Sequence, residues 1–361
     1  MRGRGGGRQQ GLLTDGIDDK RSRSMGKKAR AVRRGMLSLG AVPLAAAVLL
    51  GWQARPAAAF GTINSLGQHA EHERITRAAL ACPPGRASDG SCFEPRSLDQ
   101  VAGHTGTFGA VGSPDSDEIT VSAAHCDNAD HLARPGYPTS REQASSQLIS
   151  CVTHLQRRFG RGADTASGVL GGDGTVAPAE VDLGKDCVFT LGIPGRGKCN
   201  AIEGFGRALH GVQDFYSHSN WTDRADPDRP TGKDNPPGLQ RAAPSPLLQL
   251  SEGKPPSPGA IPEDLTTGCF SLLGGCSSRV DHAALNKDTG LIDPATGTTS
   301  GPTTPRGKVA GNFDRAVQGA VADTRRQWAD FRGLLAERYG KERGDRIGCA
   351  LTHDNPVRDC R

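Results

Sequence analysis

Leu209-His210-Gly211-Val212-Gln213-Asp214-Phe215-Tyr216-Ser217-His218 decides how this 361-residue chain is read, because it spaces His210, Asp214 and His218 by four and four. On a helix turning ~100° per residue, the three side chains span only ~80° and climb ~12 Å. Side chains four apart meet on a helix surface, so His210 with Asp214, and Asp214 with His218, each make a pair that can grip a divalent cation. One ion cannot serve both outer histidines, since metal–ligand bonds are only about 2 Å long. Two ions flanking or sharing Asp214 are therefore expected. The competing reading is a polar helix face turned to water. Three candidate ligands in consecutive turns, in a chain with ten histidines, favour metal. Gln213, Ser217 and Asn220 are either hydrogen-bonding support for the ligands or ordinary surface and capping residues.

Around that row, Ile202, Phe205, Leu209, Val212 and Phe215 form an apolar stripe, predicting a helix over 201–218 with one burying and one coordinating face. The same periodicity predicts helices over 71–81, 140–159 and 313–339. Gly, Pro, Asp and Thr crowd the segments 160–174, 224–259 and 288–308, which read as loops. No internal repeat and no boundary between two cores is visible. The expectation is a mostly α protein: a single helical metal-binding domain over 60–361, with loop insertions at about 224–259 and 288–308.

Residues 1–59 read as targeting sequence. A basic run, Lys27 to Arg34, precedes the apolar stretch Met36 to Trp52 and the small residues Ala57-Ala58-Ala59, which is the order of a signal peptide with an N-terminal extension. A short membrane anchor is the alternative, against which Gly40, Pro43 and Gly51 interrupt the apolar run. Residues 1–24 are long for a leader, and Met25 is an alternative start. This segment holds 12 of the 44 Lys and Arg residues and 3 of the 39 Asp and Glu, so residues 60–361 carry 32 basic and 36 acidic residues, a net −4. No specific nucleic-acid binding is expected from that balance.

All ten cysteines lie beyond residue 59, and their even number implies disulfides in an oxidising compartment. Connectivity cannot be deduced from sequence, although the cysteines fall into neighbours: 82 with 92, 126 with 151, 187 with 199, 269 with 276, 349 with 360. No Cys-x-x-Cys pair suggests a zinc ribbon. Aromatic residues are only 4% of the chain, so disulfides would compensate for a lean core.

The string Leu-His-Gly-Val-Gln-Asp-Phe-Tyr-Ser-His-Ser-Asn-Trp, 209–221, resembles the motif of Het-C-type heterokaryon-incompatibility proteins and secreted bacterial proteins of the CinY type. More distantly, it is similar to the zinc-dependent phospholipase C and P1-type nuclease superfamily. That resemblance implies a compact helical fold of the phospholipase C/P1 nuclease type and a cluster of two or three Zn²⁺ ions bridged by the aspartate. It implies a ligand histidine at the first helix, for which His72 fits better and His69 is the alternative. Asp127 or Asp130 would be the aspartate that ligates metal and serves as general base, with His125 as a further ligand. His282 would be the last histidine, beside the element Asn286-Lys287-Asp288. The chain departs from the pattern in three places: no tryptophan precedes the candidate aspartates, Asn286 rather than a carboxylate stands four residues after His282, and Phe60 rather than tryptophan comes after the predicted cleavage point.

Two functional expectations from different classes result. One is a secreted zinc-dependent phosphodiester hydrolase, phospholipase C-like, that meets its phospholipid at a membrane surface; a nuclease is its variant. The other is a non-catalytic extracellular Het-C-like interaction protein with a structural metal site. No Ser-centred nucleophile elbow or Walker-type loop offers another chemistry.

Overall fold

Gly204 and Gly162 set a close contact between two helices. A Cβ on Gly204 would lie 2.4 Å from the Gly162 nitrogen, so two backbones meet where no side chain fits. The computed structural model describes residues 60–65, 68–190, 193–271 and 274–361; the expected leader, 1–59, lies outside the described residues. In chain order the helices are α1 (Glu71–Leu80), α2 (Pro95–Ala102), α3 (Gly109–Gly112), α4 (Pro114–Asp117), α5 (Arg141–Thr165), α6 (Pro178–Val181), α7 (Gly197–His218), α8 (His282–Leu285), α9 (Pro305–Lys308), α10 (Asn312–Tyr339), α11 (Lys341–Thr352) and α12 (Pro356–Asp359). The described residues are thus mostly α, and the only paired strands among them are β1 (Leu291–Ile292) and β2 (Thr299–Ser300), an antiparallel hairpin with Leu291 opposite Ser300.

α7 is the axis. All its residues but Asn200 and Glu203 are buried, so the expected division into a burying and a coordinating face gives way to a helix enclosed on every side. α5, α10 and α3 pack directly on it. α5 begins at a capping box, in which Ser140 accepts from the Gln143 amide and Gln143 accepts from Ser140. It continues to Thr165 rather than ending near Phe159, because Gly162 and Ala163 belong to the face against α7. The few aromatic side chains are concentrated at this crossing: Phe159, Phe205, Trp328 and Phe331 make ring contacts of 5.0 to 5.3 Å, worth ~0.5–1.5 kcal/mol per pair beyond area burial.

The segment expected as loop over 288–308 contains β1, β2 and α9. Helices α2 and α11 escape the periodicity reading because they are short and begin at Pro95 and after Gly340, residues that read as punctuation. The five disulfides join Cys82–Cys92, Cys126–Cys151, Cys187–Cys199, Cys269–Cys276 and Cys349–Cys360, which fits an oxidising, extracellular setting. Among the described residues, no helix is long and apolar enough to cross a membrane.

One buried charge has a direct consequence for stability. Lys198, at the start of α7, is buried, and its Nζ donates to Ser97 Oγ and the His353 carbonyl. Burial pushes its pKa from 10.5 down to about 7. Between pH 7 and pH 10.5 the unfolded chain therefore holds a proton that the folded chain has released, and this residue makes stability rise with pH by up to ~1.4 kcal/mol per unit. Lys198→Met should remove that rise. Urea titrations at about pH 7, 8 and 9 on both proteins check it, and an unchanged pH slope would contradict the assignment.

Candidate metal centre

The row on α7 is sealed from solvent: His210 and Asp214 are 0% exposed and His218 is 1% exposed. Other elements deliver partners to it at two levels. At the first, α1 brings His72, whose Nε2 lies 3.2 Å from Asp214 Oδ1. His210 Nε2 and His125 Nδ1 each lie 3.0 Å from Asp214 Oδ2 and 2.9 Å from one another. Asp115, on α4, faces the same two histidines at 3.6 and 3.9 Å. At the second level, His218 Nδ1 lies 3.0 Å from Asp127 Oδ1 and its Nε2 3.3 Å from Asp288 Oδ1. His282 stacks edge-on against His218 at 4.2 Å. Three groupings result, each with donor atoms within 4.8 Å of one another: His72, His210, Asp214; Asp115, His125, His210; and Asp127, His218, His282.

Local backbone explains how the loop donors arrive. A Cβ on Gly211 would lie 2.5 Å from the Ala124 carbonyl, so glycine at this point of α7 lets the segment bearing His125 and Asp127 close in. Cys126, between those two donors, is tied to Cys151 of α5 and has φ 55°, while Asn128 has φ 68°. Non-glycine residues pay about 1–3 kcal/mol each for such conformations, which persist only when the surroundings hold them. The Asn128 side chain does so by donating to Ser122 and the Phe270 carbonyl and accepting from the Phe270 amide.

Each histidine at the first level spends one ring nitrogen outside the cluster. His72 Nδ1 meets Gln213 Oε1 at 2.7 Å, His210 Nδ1 the Val111 carbonyl at 2.9 Å, and His125 Nε2 the Glu118 carbonyl at 3.3 Å. Carbonyl oxygens only accept, so these nitrogens carry the protons of the neutral rings. His210 Nε2 and His125 Nδ1 then point lone pairs at each other across 2.9 Å, beside an anionic carboxylate. Only a proton or a metal cation among them removes the conflict. At the second level the same need shows in buried atoms without a hydrogen bond: Asp127 Oδ1, His218 Nε2, His282 Nδ1 and Asp288 Oδ2, joined at the first by His72 Nε2 and Asp214 Oδ1. The residues present therefore fit a bound cation, and His72, His210 and His125 each have one ring nitrogen oriented by a partner behind it.

Electrostatics point the same way. Burial would raise the Asp214 pKa, but His210, His218 and His72 hold it well below the usual carboxylate range. Burial opposes charge on His218, yet Asp127, Asp214 and Asp288 lift its pKa well above the ordinary value. At His72 and His125 burial also opposes charge, but Asp214 overcomes it and both rise, whereas burial prevails at His210 and His282 and lowers both.

The sequence candidates His72, His125, Asp127, His210, Asp214, His218 and His282 thus converge. His69 and Asp130 do not. Asp130 is fully buried but engaged elsewhere, in an ion pair with Arg279 and a 2.7 Å bond from Tyr137, so it is not free to act as a base. Gln213 and Ser217 support the site, through His72 and Asp288 respectively. Asn220 instead pins two loops, donating to Pro237 and Asp264 carbonyls and accepting from Thr266. Asp223 is buried between Lys287 and Arg306. Asp115 and Asp288 are the donors that sequence reasoning misses. Asp288 sits within the Asn286-Lys287-Asp288 element, but nothing in Ser113-Pro114-Asp115-Ser116-Asp117 separates Asp115 from an ordinary helix start. Cys349, His353 and Cys360 also cluster, but the two cysteines are joined in a disulfide.

Gln213→Leu removes the acceptor that orients His72 and should weaken metal binding ~10–100-fold, read by competition with a chromogenic chelator. Affinity within about twofold of the parent would mean that His72 is not a ligand. Comparison of the chain with family models, with curated proteins and with solved structures returns no match.

Proposed function

We propose that this chain is a secreted zinc-dependent phosphodiester hydrolase with a multinuclear site, resembling phospholipase C in chemistry and in fold. The observation that carries the proposal is the convergence of His210, His125 and Asp214 at 2.9–3.0 Å with no proton donor among them in their neutral forms. His72, His210, Asp214 and His125 would hold metal at one level, with Asp115 beside them, and Asp127, His218, His282 and Asp288 at the other. Imidazole nitrogen with carboxylate oxygen, and no thiolate, is a donor set that suits Zn²⁺. What zinc supplies there when bound is positive charge for phosphoryl oxygens and a lower pKa for water. Gln213 and the Val111 and Glu118 carbonyls fix the ring orientations. Asp115 has the most exposed side chain of the donors, at 24%, and would take a proton from the attacking water. Asp127, buried against His218, serves as a ligand and leaves that role to Asp115.

Phe108, Ile119 and Val121, at 45%, 44% and 37% exposure, lie on the segments either side of Asp115 and favour a lipid-phase substrate over a nucleotide. The net −4 of residues 60–361 points the same way. The burial of every donor except Asp115 supports a second reading, an extracellular interaction protein whose metal is structural.

Zinc-loaded protein assayed on bis(p-nitrophenyl) phosphate and on phosphatidylcholine vesicles separates the two. The hydrolase reading expects turnover, a ~10²–10⁴-fold loss in Asp115→Asn, and unchanged zinc content and thermal midpoint in that variant. A fully zinc-loaded protein that turns over neither substrate, and whose Asp214→Ala form loses thermal stability together with its metal, would establish the structural reading instead.

A further inference from the structure

A cavity lies apart from the metal row. Its volume is about 420 Å³, and its lining includes Arg224, Arg241, Arg315, Gln240, Gln318 and Thr222. Gly319, also in the lining, packs on the ring of Tyr216, which projects ~200° away from Asp214 around α7.

Three arginines line this cavity, and among the described residues no carboxylate lies within 4.0 Å of their guanidinium groups. Arg224 and Arg241 are exposed and Arg315 is half-buried, whereas the buried arginines Arg207, on α7, and Arg306 are ion-paired. Each of the three is nevertheless held in place. Arg224 Nε donates to Gln240, Arg241 lies over the Trp221 ring at 5.7 Å, and Arg315 donates one terminal nitrogen to the Ala310 carbonyl. Arg315 Nε is buried without a partner. Orientation is thus supplied in advance while donors stay uncommitted, which suits planar, bidentate recognition of an oxyanion.

We propose that this cavity binds a phosphomonoester dianion, free or on a lipid headgroup, with Arg315, Arg241 and Arg224 as its anion ligands. The concave volume is in the range of small-molecule sites and exceeds that of a bare phosphate, so Gln240, Gln318 and Thr222 are left to contact the group that carries it. The site does not depend on the hydrolase reading, because none of its residues touches the metal row.

Calorimetric titration of the zinc-loaded protein with glycerol 3-phosphate, at about 0.15 M salt, tests the proposal, alongside sedimentation with phosphatidic acid vesicles. Parent protein should bind at least one of the two probes, and whichever it binds identifies the source. Arg315→Gln and Arg241→Gln should each weaken that binding at least about tenfold, with the fold, zinc content and any diester turnover unchanged; using two variants guards against Arg241→Gln merely disturbing Trp221. Absence of binding to either probe, or binding that both substitutions leave intact, overturns it. So does binding that is lost in Asp115→Asn, which would assign the phosphate to the metal centre.

Discussion

Asp214 is shared by three imidazoles that reach it from α1, from α7 and from the loop before α5, and the remainder of the domain is organised around that carboxylate. Its two oxygens sit 3.2, 3.0 and 3.0 Å from ring nitrogens of His72, His210 and His125 in a region without solvent. A charge in such a place is tolerable only when opposite charge and hydrogen bonds surround it, and the cost of leaving it unpaired is several kcal/mol. α7 therefore lies at the centre rather than on the surface. Small residues let its neighbours come close: Gly204 against α5, Gly211 against the donor loop, Gly319 of α10 against Tyr216.

The loops are as constrained as the helices. Two disulfides stand next to donors: Cys126 separates His125 from Asp127, and Cys269 accepts the amide of His282 on its carbonyl. A second buried network stabilises the other end. Lys287 donates to Asp223, to Ser219 and to Leu285, and Arg306 meets the same Asp223. This fixes the chain on both sides of Asp288, whose carboxylate is oriented by Ser217 and completes the second level of the cluster. Long segments rich in Gly and Pro are thus ordered by buried polar contacts together with the few apolar side chains, such as Leu247, Leu248 and Leu250, that they insert into the main core.

How much of this is legible in the chain depends on the physics of each signal. The row at four-residue spacing is readable because helical geometry converts spacing into direction, and the long helices are readable because burial is periodic. Asp115 is not, since a carboxylate after Ser-Pro in a four-residue helix looks like a helix start, and only the fold carries it to His125 and His210. The choice between Asp127 and Asp130 is equally closed to sequence: Arg279, 149 residues from Asp130, is what withdraws it. The enclosed character of α7 escapes because Lys198, Arg207 and the donor row give it a polar composition while every one of them is buried.

The central claim is that cations hold the two levels of this cluster together. Crystals of zinc-loaded protein, with anomalous difference maps measured on either side of the zinc edge, test it most directly. The account predicts peaks among His72, His210 and Asp214 and among Asp127, His218 and His282, vanishing after chelation. A folded protein whose maps stay featureless at both levels after zinc loading, with the same side-chain positions, would contradict it and leave protons alone to reconcile the facing imidazoles.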